Sequence, residues 1–95
     1  MAERLTDDEV RQGLEGSPWR REGDAIVRDF EVEDFAAAMG FVNAVAGLAE
    51  AANHHPDILI HGWNTVRLTL TTHSEGKLTD NDHAMAQRID GLGGG

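Results

Sequence analysis

The longest apolar segment of the chain runs from residue 35 to residue 52, and its pattern predicts a helix. Its apolar residues form two stripes at helical spacing, one of Phe35, Met39, Val42 and Ala49 and the other of Phe41, Val45, Leu48 and Ala52. A helix that covers one sheet and faces water needs only one stripe. The second stripe is compatible with a central core helix, or with a helix that also packs against a partner subunit. A membrane span is not expected, because Asn43 and two glycines interrupt a segment shorter than the roughly 20 residues required.

Alternation of apolar and polar residues predicts a strand over residues 65–72. The apolar side consists of Val66, Leu68 and Leu70, and the polar side consists of Thr65, Arg67, Thr69 and Thr71. This pattern favours an antiparallel sheet that helices cover on one face. Less regular patterns predict two strands within residues 19–30, which meet at a Gly23-Asp24 turn, and a further strand at residues 57–61, joined to the last strand around Gly62.

Two shorter helices are predicted near the ends of the chain, each opened by a capping box. Thr6 and Glu9 cap the first helix, and Thr79 and Asp82 cap the last. The buried stripe of the last helix is predicted to consist of Met85, Ile89 and Leu92. The predicted order is α-β-β-α-β-β-α within one domain of residues 1–95, whose final glycines, 93–95, are expected to fray.

Composition narrows the function classes. The chain carries 8 basic and 17 acidic side chains, a formal charge of -9, which disfavours direct binding to nucleic acid. The absence of cysteine excludes disulfides and thiolate metal sites. The first ten residues lack the pattern of a signal peptide, so a cytoplasmic protein is expected. A chain of 95 residues buries a modest core, and pairing with a second copy is a common remedy.

Three of the five histidines are predicted to meet at one end of the sheet. His54 and His55 precede Pro56 between the long helix and a strand, and His73 follows the neighbouring strand. If these strands pair as a hairpin, the three imidazoles lie close together. Since histidine exchanges protons near neutral pH, the cluster is compatible with general acid-base catalysis, with a zinc site or with ordinary loop histidines. Adjacent extended residues point in opposite directions, so His54 and His55 should have different roles.

Several short segments resemble the signature of the pterin-4a-carbinolamine dehydratase family. They are Asn53-His54-His55-Pro56-Asp57, Trp63-Asn64-Thr65-Val66, Thr72-His73, Gly76, Leu78-Thr79 and Asp82, with Pro18-Trp19, Ile26, Arg28, Phe30, Asp34-Phe35 and Glu50 upstream. The resemblance implies an α+β fold, a four-stranded antiparallel sheet with helices packed on one face, assembled as a homodimer or tetramer. It also implies dehydration of 4a-hydroxytetrahydrobiopterin to the quinonoid dihydropterin, which recycles the cofactor of aromatic amino-acid hydroxylases. That reaction, in the family, needs neither a metal nor a bound cofactor.

The resemblance also implies roles for individual residues. His54 and His73 are the candidates for acid and base, in an order that the resemblance leaves open, and His55 is the candidate for binding and orienting the pterin. Asp82 is expected to orient a histidine or to contact the pterin ring. Glu50 is a second candidate for the same task.

Other aromatic and histidine residues have alternative interpretations. Trp63 is a candidate to stack on the pterin, and its alternative is a structural aromatic residue at a strand start. Trp19 is a candidate to line the pocket, and its alternative is a residue of the core. His61 and His83 match no signature position and are expected at the surface. Lys77 stands where the family usually carries a second glycine, and a positive φ there would strain the backbone.

Two other function classes stay open at this point. Relatives of the family act as a dimerisation cofactor for a homeodomain transcription factor or assist assembly of a large enzyme, which makes a protein-binding, assembly or transcriptional coactivator module the alternative. A metal-dependent hydrolase would contain bound zinc. The three histidines favour the dehydratase, because a module that only binds other proteins does not need them.

Overall fold

A computed structural model describes residues 3–92 of the chain. Residues 1, 2 and 93–95 lie outside the described part, and the glycines expected to fray are among them. The elements follow one another as α1 Asp7–Leu14, β1 Arg20–Glu22, β2 Ala25–Glu31, α2 Phe35–Ala52, β3 Asp57–His61, β4 Thr65–Leu70 and α3 Asp80–Asp90. The predicted order α-β-β-α-β-β-α is therefore confirmed.

The four strands form one antiparallel sheet in the order β1-β2-β4-β3. The apolar side of β4 is fully buried, with Val66, Leu68 and Leu70 in the core, as the alternation predicts. β4 ends at Leu70, two residues earlier than predicted. The backbone N–H of Thr72 instead donates to the carbonyl of Lys77 across a tight turn, at 3.3 Å.

Helix α2 begins and ends where the sequence predicts, but its two apolar stripes have different surroundings. Four residues at helical spacing face the core: Ala38, Phe41, Val45 and Ala49. Phe41 packs on Phe30 of β2 with ring centroids 4.7 Å apart. Phe35 and Met39, in contrast, are 53% and 41% exposed. The buried side of α2 therefore lies between the two predicted stripes, and it takes Ala49 from the first stripe and Phe41 and Val45 from the second.

Helix α2 is the one described helix that is long and apolar enough to cross a membrane. Its length and mean hydropathy of 1.5 would suffice to cross a membrane, but a core helix of a water-soluble protein meets the same criteria. The described residues contain no other helix of this kind. Phe41 and Val45, which are buried against the sheet, favour the core helix.

Both predicted capping boxes are present, at Thr6 and at Thr79. In α3, Met85 and Ile89 are buried as predicted. Leu92 is 37% exposed, so its place in the buried stripe was wrong. The helix ends at Asp90, and Leu92 lies beyond the last turn that packs on the sheet.

The C-terminal end of α3 is tied to the sheet through one carboxylate. Oδ1 of Asp90 accepts hydrogen bonds from Nε1 of Trp19 at 2.8 Å and from the guanidinium of Arg28 at 2.6 Å. The Arg28 guanidinium also lies 4.1 Å from the centre of the Phe30 ring. These contacts hold the C-terminal end of α3 against the sheet. Its N-terminal end lies against His54, which follows α2.

Candidate functional site

The three predicted histidines meet at the end of the sheet where β3 begins and β4 ends. Asp57 of β3 pairs with Thr69 of β4, so the residues before β3 and after β4 are neighbours. A cleft of about 190 Å³ opens there, lined by Asn53, His54, His55, Thr71, Thr72, His73 and Ser74. The structure therefore brings the three imidazoles to one cleft, as the hairpin argument predicts.

The C-terminal end of α2 sets the direction of the two adjacent histidines. Asn53 caps the helix in the left-handed conformation, with φ 50° and ψ 43°. Asparagine is among the few residues other than glycine that adopt this conformation readily. The backbone N–H of His54 then returns to the carbonyl of Ala49 at 3.1 Å. This turn ends α2 and directs the chain along the cleft toward Pro56.

His54 is held by a buried carboxylate. Its Nε2 lies 2.6 Å from Oδ1 of Asp82, whose side chain is 0% exposed, while the His54 side chain is 12% exposed. Asp82 is also the capping-box residue of α3, and its Oδ2 accepts the backbone N–H of Thr79 at 2.9 Å. One carboxylate thus begins α3 and orients His54, and the predicted alternative in which Asp82 orients a histidine has a direct geometric basis.

His55 is paired with the second predicted carboxylate in a more open setting. Its Nε2 lies 2.5 Å from Oε2 of Glu50, in the last turn of α2. Both side chains are largely exposed, so solvent weakens this contact. The two adjacent histidines therefore differ in burial and in partner, and the expectation that they have different roles stays a prediction.

His73 is exposed and stands at the start of the turn that follows β4. The turn closes when the backbone N–H of Gly76 donates to the carbonyl of Thr72 at 2.9 Å. Gly76 carries the positive φ of this turn, 63°, and Lys77 does not have a positive φ. The strain expected at Lys77 is therefore absent, because the left-handed position is one residue earlier.

The two tryptophans lie outside the histidine cleft of this chain. Trp19 is buried in the core, where it packs edge-on against Phe30, so the structure favours its core-packing alternative. Trp63 is 60% exposed in the turn between β3 and β4. That turn is at the opposite end of the hairpin from His73. The six residues of β4 separate the two ends, a length of roughly 20 Å at about 3.3 Å per residue. A stacking role for Trp63 stays a prediction that the single chain does not support.

His83 is the one histidine whose location the sequence misjudged. His61 is exposed, as expected, but Nε2 of His83 is buried and has no hydrogen-bond partner among residues 3–92. The ring lies against α1 at Gly13, where an added Cβ would be 2.8 Å from two atoms of the imidazole. A glycine within a short helix was the available signal, since it permits close approach of another side chain.

Two further clefts are present in the described part of the chain. One of about 220 Å³ shares His54 and is otherwise lined by Ala52, Asn81, Ala84, Met85 and Arg88. A larger one of about 370 Å³ lies against α1 and β1 and is lined by Val10, Arg11, Leu14, Glu15 and Arg21. The larger cleft contains no proton-exchanging imidazole, so we base the candidate site on chemistry and not on size.

The donor set of the site gives no support to a metal centre. Within residues 3–92, no three His, Cys, Asp or Glu side chains are arranged to hold one ion. Nε2 of His54 and Nε2 of His55 each face a different carboxylate. The two adjacent rings are therefore directed at separate partners.

Comparison with known proteins identifies relatives over nearly the whole chain. The family model described as pterin 4 alpha carbinolamine dehydratase matches residues 3–92. A Natronomonas pharaonis protein provisionally named pterin-4-alpha-carbinolamine dehydratase is 48% identical over 92 residues, 97% of this chain and 98% of its own. A Chloroflexus aurantiacus protein with the same provisional name is 50% identical over 92 residues, covering 96% of this chain and 98% of its own.

Two solved structures are also similar. A Brucella melitensis protein described as a transcriptional coactivator/pterin dehydratase superimposes with a TM-score of 0.89 at 35% identity. The match covers 98% of this chain and 100% of the Brucella chain. A pterin dehydratase-like protein described as a RuBisCO assembly factor in the alpha-carboxysome superimposes with a TM-score of 0.66 at 30% identity, covering 80% of this chain and 89% of its own. Similar folds therefore occur with more than one described role.

Proposed function

The chain belongs to the pterin 4 alpha carbinolamine dehydratase family, and we propose that it removes water from 4a-hydroxytetrahydrobiopterin to give the quinonoid dihydropterin. The observation that carries the proposal is the convergence of His54, His55 and His73 on one cleft. That cleft, of about 190 Å³, is smaller than the roughly 300–1,000 Å³ typical of sites for drug-sized ligands. A small bicyclic substrate is compatible with it.

The reaction requires two proton transfers and no net oxidation. A general acid protonates the hydroxyl group on C4a, the C–O bond breaks, and water leaves. The lone pair of the adjacent ring nitrogen forms the new carbon–nitrogen double bond, and a base accepts the proton which that nitrogen releases. Each positioned proton transfer contributes about 10²–10⁴-fold, and histidine is suited to both because it gains and loses a proton near neutral pH.

The roles that we propose are those that the family resemblance implies, and the partners of His54 and His55 support them. His54 and His73 are the acid-base pair, and Asp82 orients His54 from beneath. His55, paired with the exposed Glu50, binds and orients the pterin. The physiological role that we propose is recycling of the pterin cofactor of aromatic amino-acid hydroxylases in the cytoplasm, without a metal or a bound cofactor.

A stopped-flow dehydratase assay with 4a-hydroxytetrahydrobiopterin tests the proposal. We expect a clear rate above the spontaneous reaction for the wild type, and a loss of about 10²–10⁴-fold for His54→Ala and for His73→Ala. His61→Ala is the matched control, because His61 is an exposed histidine on β3 outside the cleft. Wild-type rates in both cleft variants, with the fold intact by circular dichroism, would refute the assignment.

The alternative is a non-catalytic module that binds, assembles or coactivates other proteins. It has one specific observation in its favour, which is that similar solved structures are described as a transcriptional coactivator/pterin dehydratase and as a RuBisCO assembly factor. The same assay separates the two functions. A folded wild type that does not exceed the spontaneous rate would favour the alternative.

We further propose that the protein is a homodimer or tetramer in which α2 contacts a second copy. The exposed side of α2 carries Phe35 and Met39, and Glu50 is the only charged residue of the helix. On a chain with a formal charge of -9, an exposed helix face with so little charge is suited to contact with an identical face. Light scattering tests this: Met39→Glu should dissociate the oligomer, whereas Leu92→Glu, at an exposed leucine outside α2, should leave the mass unchanged.

A further inference from the structure

Two buried threonine hydroxyl groups near His54 form successive hydrogen bonds that end on the carboxylate of Asp82. Oγ1 of Thr79 lies 2.7 Å from Oγ1 of Thr72, and Oγ1 of Thr72 lies 2.8 Å from Oδ2 of Asp82. Oδ2 also accepts the backbone N–H of Thr79 at 2.9 Å. Oδ1 is left to face Nε2 of His54, at 2.6 Å.

The direction of these hydrogen bonds follows from the backbone N–H of Asn81, which can only donate. The backbone N–H of Asn81 donates to Oγ1 of Thr79 at 3.2 Å. The hydroxyl hydrogen of Thr79 therefore points elsewhere, and Oγ1 of Thr72 is the remaining partner within residues 3–92. Thr72 accepts from Thr79 and donates to Asp82. The opposite direction would leave the Thr79 hydrogen buried without an acceptor, which folded proteins avoid.

The acceptor role of Asp82 follows from that direction. Its Oδ2 accepts two hydrogen bonds, one from the Thr72 hydroxyl and one from the Thr79 backbone. Both of these partners are donors, so Oδ2 carries no hydrogen of its own. Asp82 is therefore an acceptor on both oxygens, and the hydrogen between Oδ1 and Nε2 belongs to His54.

We propose that Thr72 is a positioning residue that acts through Asp82 to hold the proton of His54 on Nε2. In the neutral ring, the other nitrogen, Nδ1, is then the unprotonated one. Which nitrogen of a histidine can accept a proton is set by the hydrogen bond that the other nitrogen makes. If the proposed dehydratase function is correct, this inference extends it: His54 is the base, through Nδ1, and His73 is the acid that protonates the leaving hydroxyl.

Nitrogen-15 NMR of the histidine rings tests the proton position without any assay of activity. At a pH of about 8, above the ordinary histidine pKa of about 6.5, long-range ¹H–¹⁵N spectra distinguish an N–H nitrogen from an unprotonated one. The His54 signals are identified by their loss in His54→Ala. We expect N–H at Nε2 and an unprotonated Nδ1 in the wild type. A proton on Nδ1 would overturn the proposal.

Variants of Thr72 test its proposed role as a positioning residue. Thr72→Val keeps the shape and removes the hydroxyl, so we expect kcat to fall roughly 10- to 100-fold, the equivalent of one hydrogen bond to a charged group, with KM nearly unchanged. We also expect some His54 in the Nδ1–H form. Thr72→Ser should restore both kcat and the tautomer. Thr69→Val, the same change at a threonine on the polar face of β4, is the matched control and should behave as the wild type.

The outcomes separate this inference from the proposed function. Wild-type kcat and a wild-type His54 spectrum in folded Thr72→Val would overturn the role of Thr72. If Thr72→Val does not fold, the tautomer of the wild-type protein and the kinetics of Thr72→Ser still decide the proposal. A wild type with no dehydratase activity but with the proton of His54 on Nε2 would refute the proposed function and support the proton position.

Discussion

Asp82→Asn should reduce both stability and activity, because the same carboxylate begins α3 and orients His54. The side chain is 0% exposed and accepts from Thr72 and Thr79 on one oxygen and from His54 on the other. Asparagine has the same shape but carries two donors on one of these atoms. With the amide nitrogen toward Thr79, a buried donor faces the backbone N–H of Thr79; with it toward His54, the ring must move its proton to Nδ1 so that Nε2 can accept.

The magnitude can be worked from these contacts. One buried unsatisfied donor costs about 1–3 kcal/mol, and the remaining contacts weaken because the acceptor is no longer charged. We expect a total loss of about 2–4 kcal/mol in the free energy of unfolding, against the roughly 5–15 kcal/mol typical of a whole domain. For a chain of this size the melting temperature should fall by roughly 10–25 °C. The variant should stay folded at 25 °C.

The assay combines urea denaturation with the stopped-flow dehydratase measurement at 25 °C. Because His54 would lose the acceptor of its Nε2–H, we expect kcat to fall by about 10²–10⁴-fold. Asp80→Asn is the matched control: Asp80 is an exposed aspartate in the first turn of α3, and its Oδ1 accepts the backbone N–H of Glu3 at 3.1 Å. A variant at Asp82 with the stability and rate of this control would refute the reasoning.

Three further predictions concern the core, pH and metals. Phe41→Ala should destabilise the fold by about 3–5 kcal/mol in urea denaturation, since it removes a buried ring from Phe30; a change below 1 kcal/mol would contradict the packing. The hydrogen bond from Arg67 lowers the pKa of Asp29 from its ordinary value of 3.8. Asp29 therefore stabilises the fold above pH 3.8 and stops doing so as pH falls through the lower folded-state pKa, so the difference in urea midpoint between wild type and Asp29→Asn should be largest near neutral pH and shrink below pH 3.8. Dialysis against EDTA should leave the dehydratase rate unchanged; a loss that zinc reverses would contradict the metal-free mechanism.

Helix ends and strand alternation could be predicted because their causes are local in the chain. The capping boxes at Thr6 and Thr79 need only residues three positions apart. The bounds of α2 follow from the extent of its apolar segment, residues 35–52. The buried side of β4 follows from a two-residue period. Each of these predictions depends on a few neighbouring residues and no distant contact.

The location of His83 depends on a residue of another helix. Nothing near position 83 in the chain indicates that its ring packs on Gly13 of α1. Similarly, the sequence indicates that α2 has more apolar surface than one sheet needs, and only the packed sheet shows that Phe41 is buried while Phe35 is exposed. Whether a side chain is buried depends on which helix or strand packs against its own element, and a single segment of sequence does not define that contact.

For the site, the sequence alone determined the elements, the family resemblance and the three histidines with their two carboxylates. The tertiary structure decided which carboxylate pairs with which ring: buried Asp82 with His54, and exposed Glu50 with His55. It also placed the hydroxyl of Thr72 on Asp82. The physical reason is that a hydrogen bond depends on distances of about 3 Å between atoms far apart in the chain, which spacing along a sequence does not define.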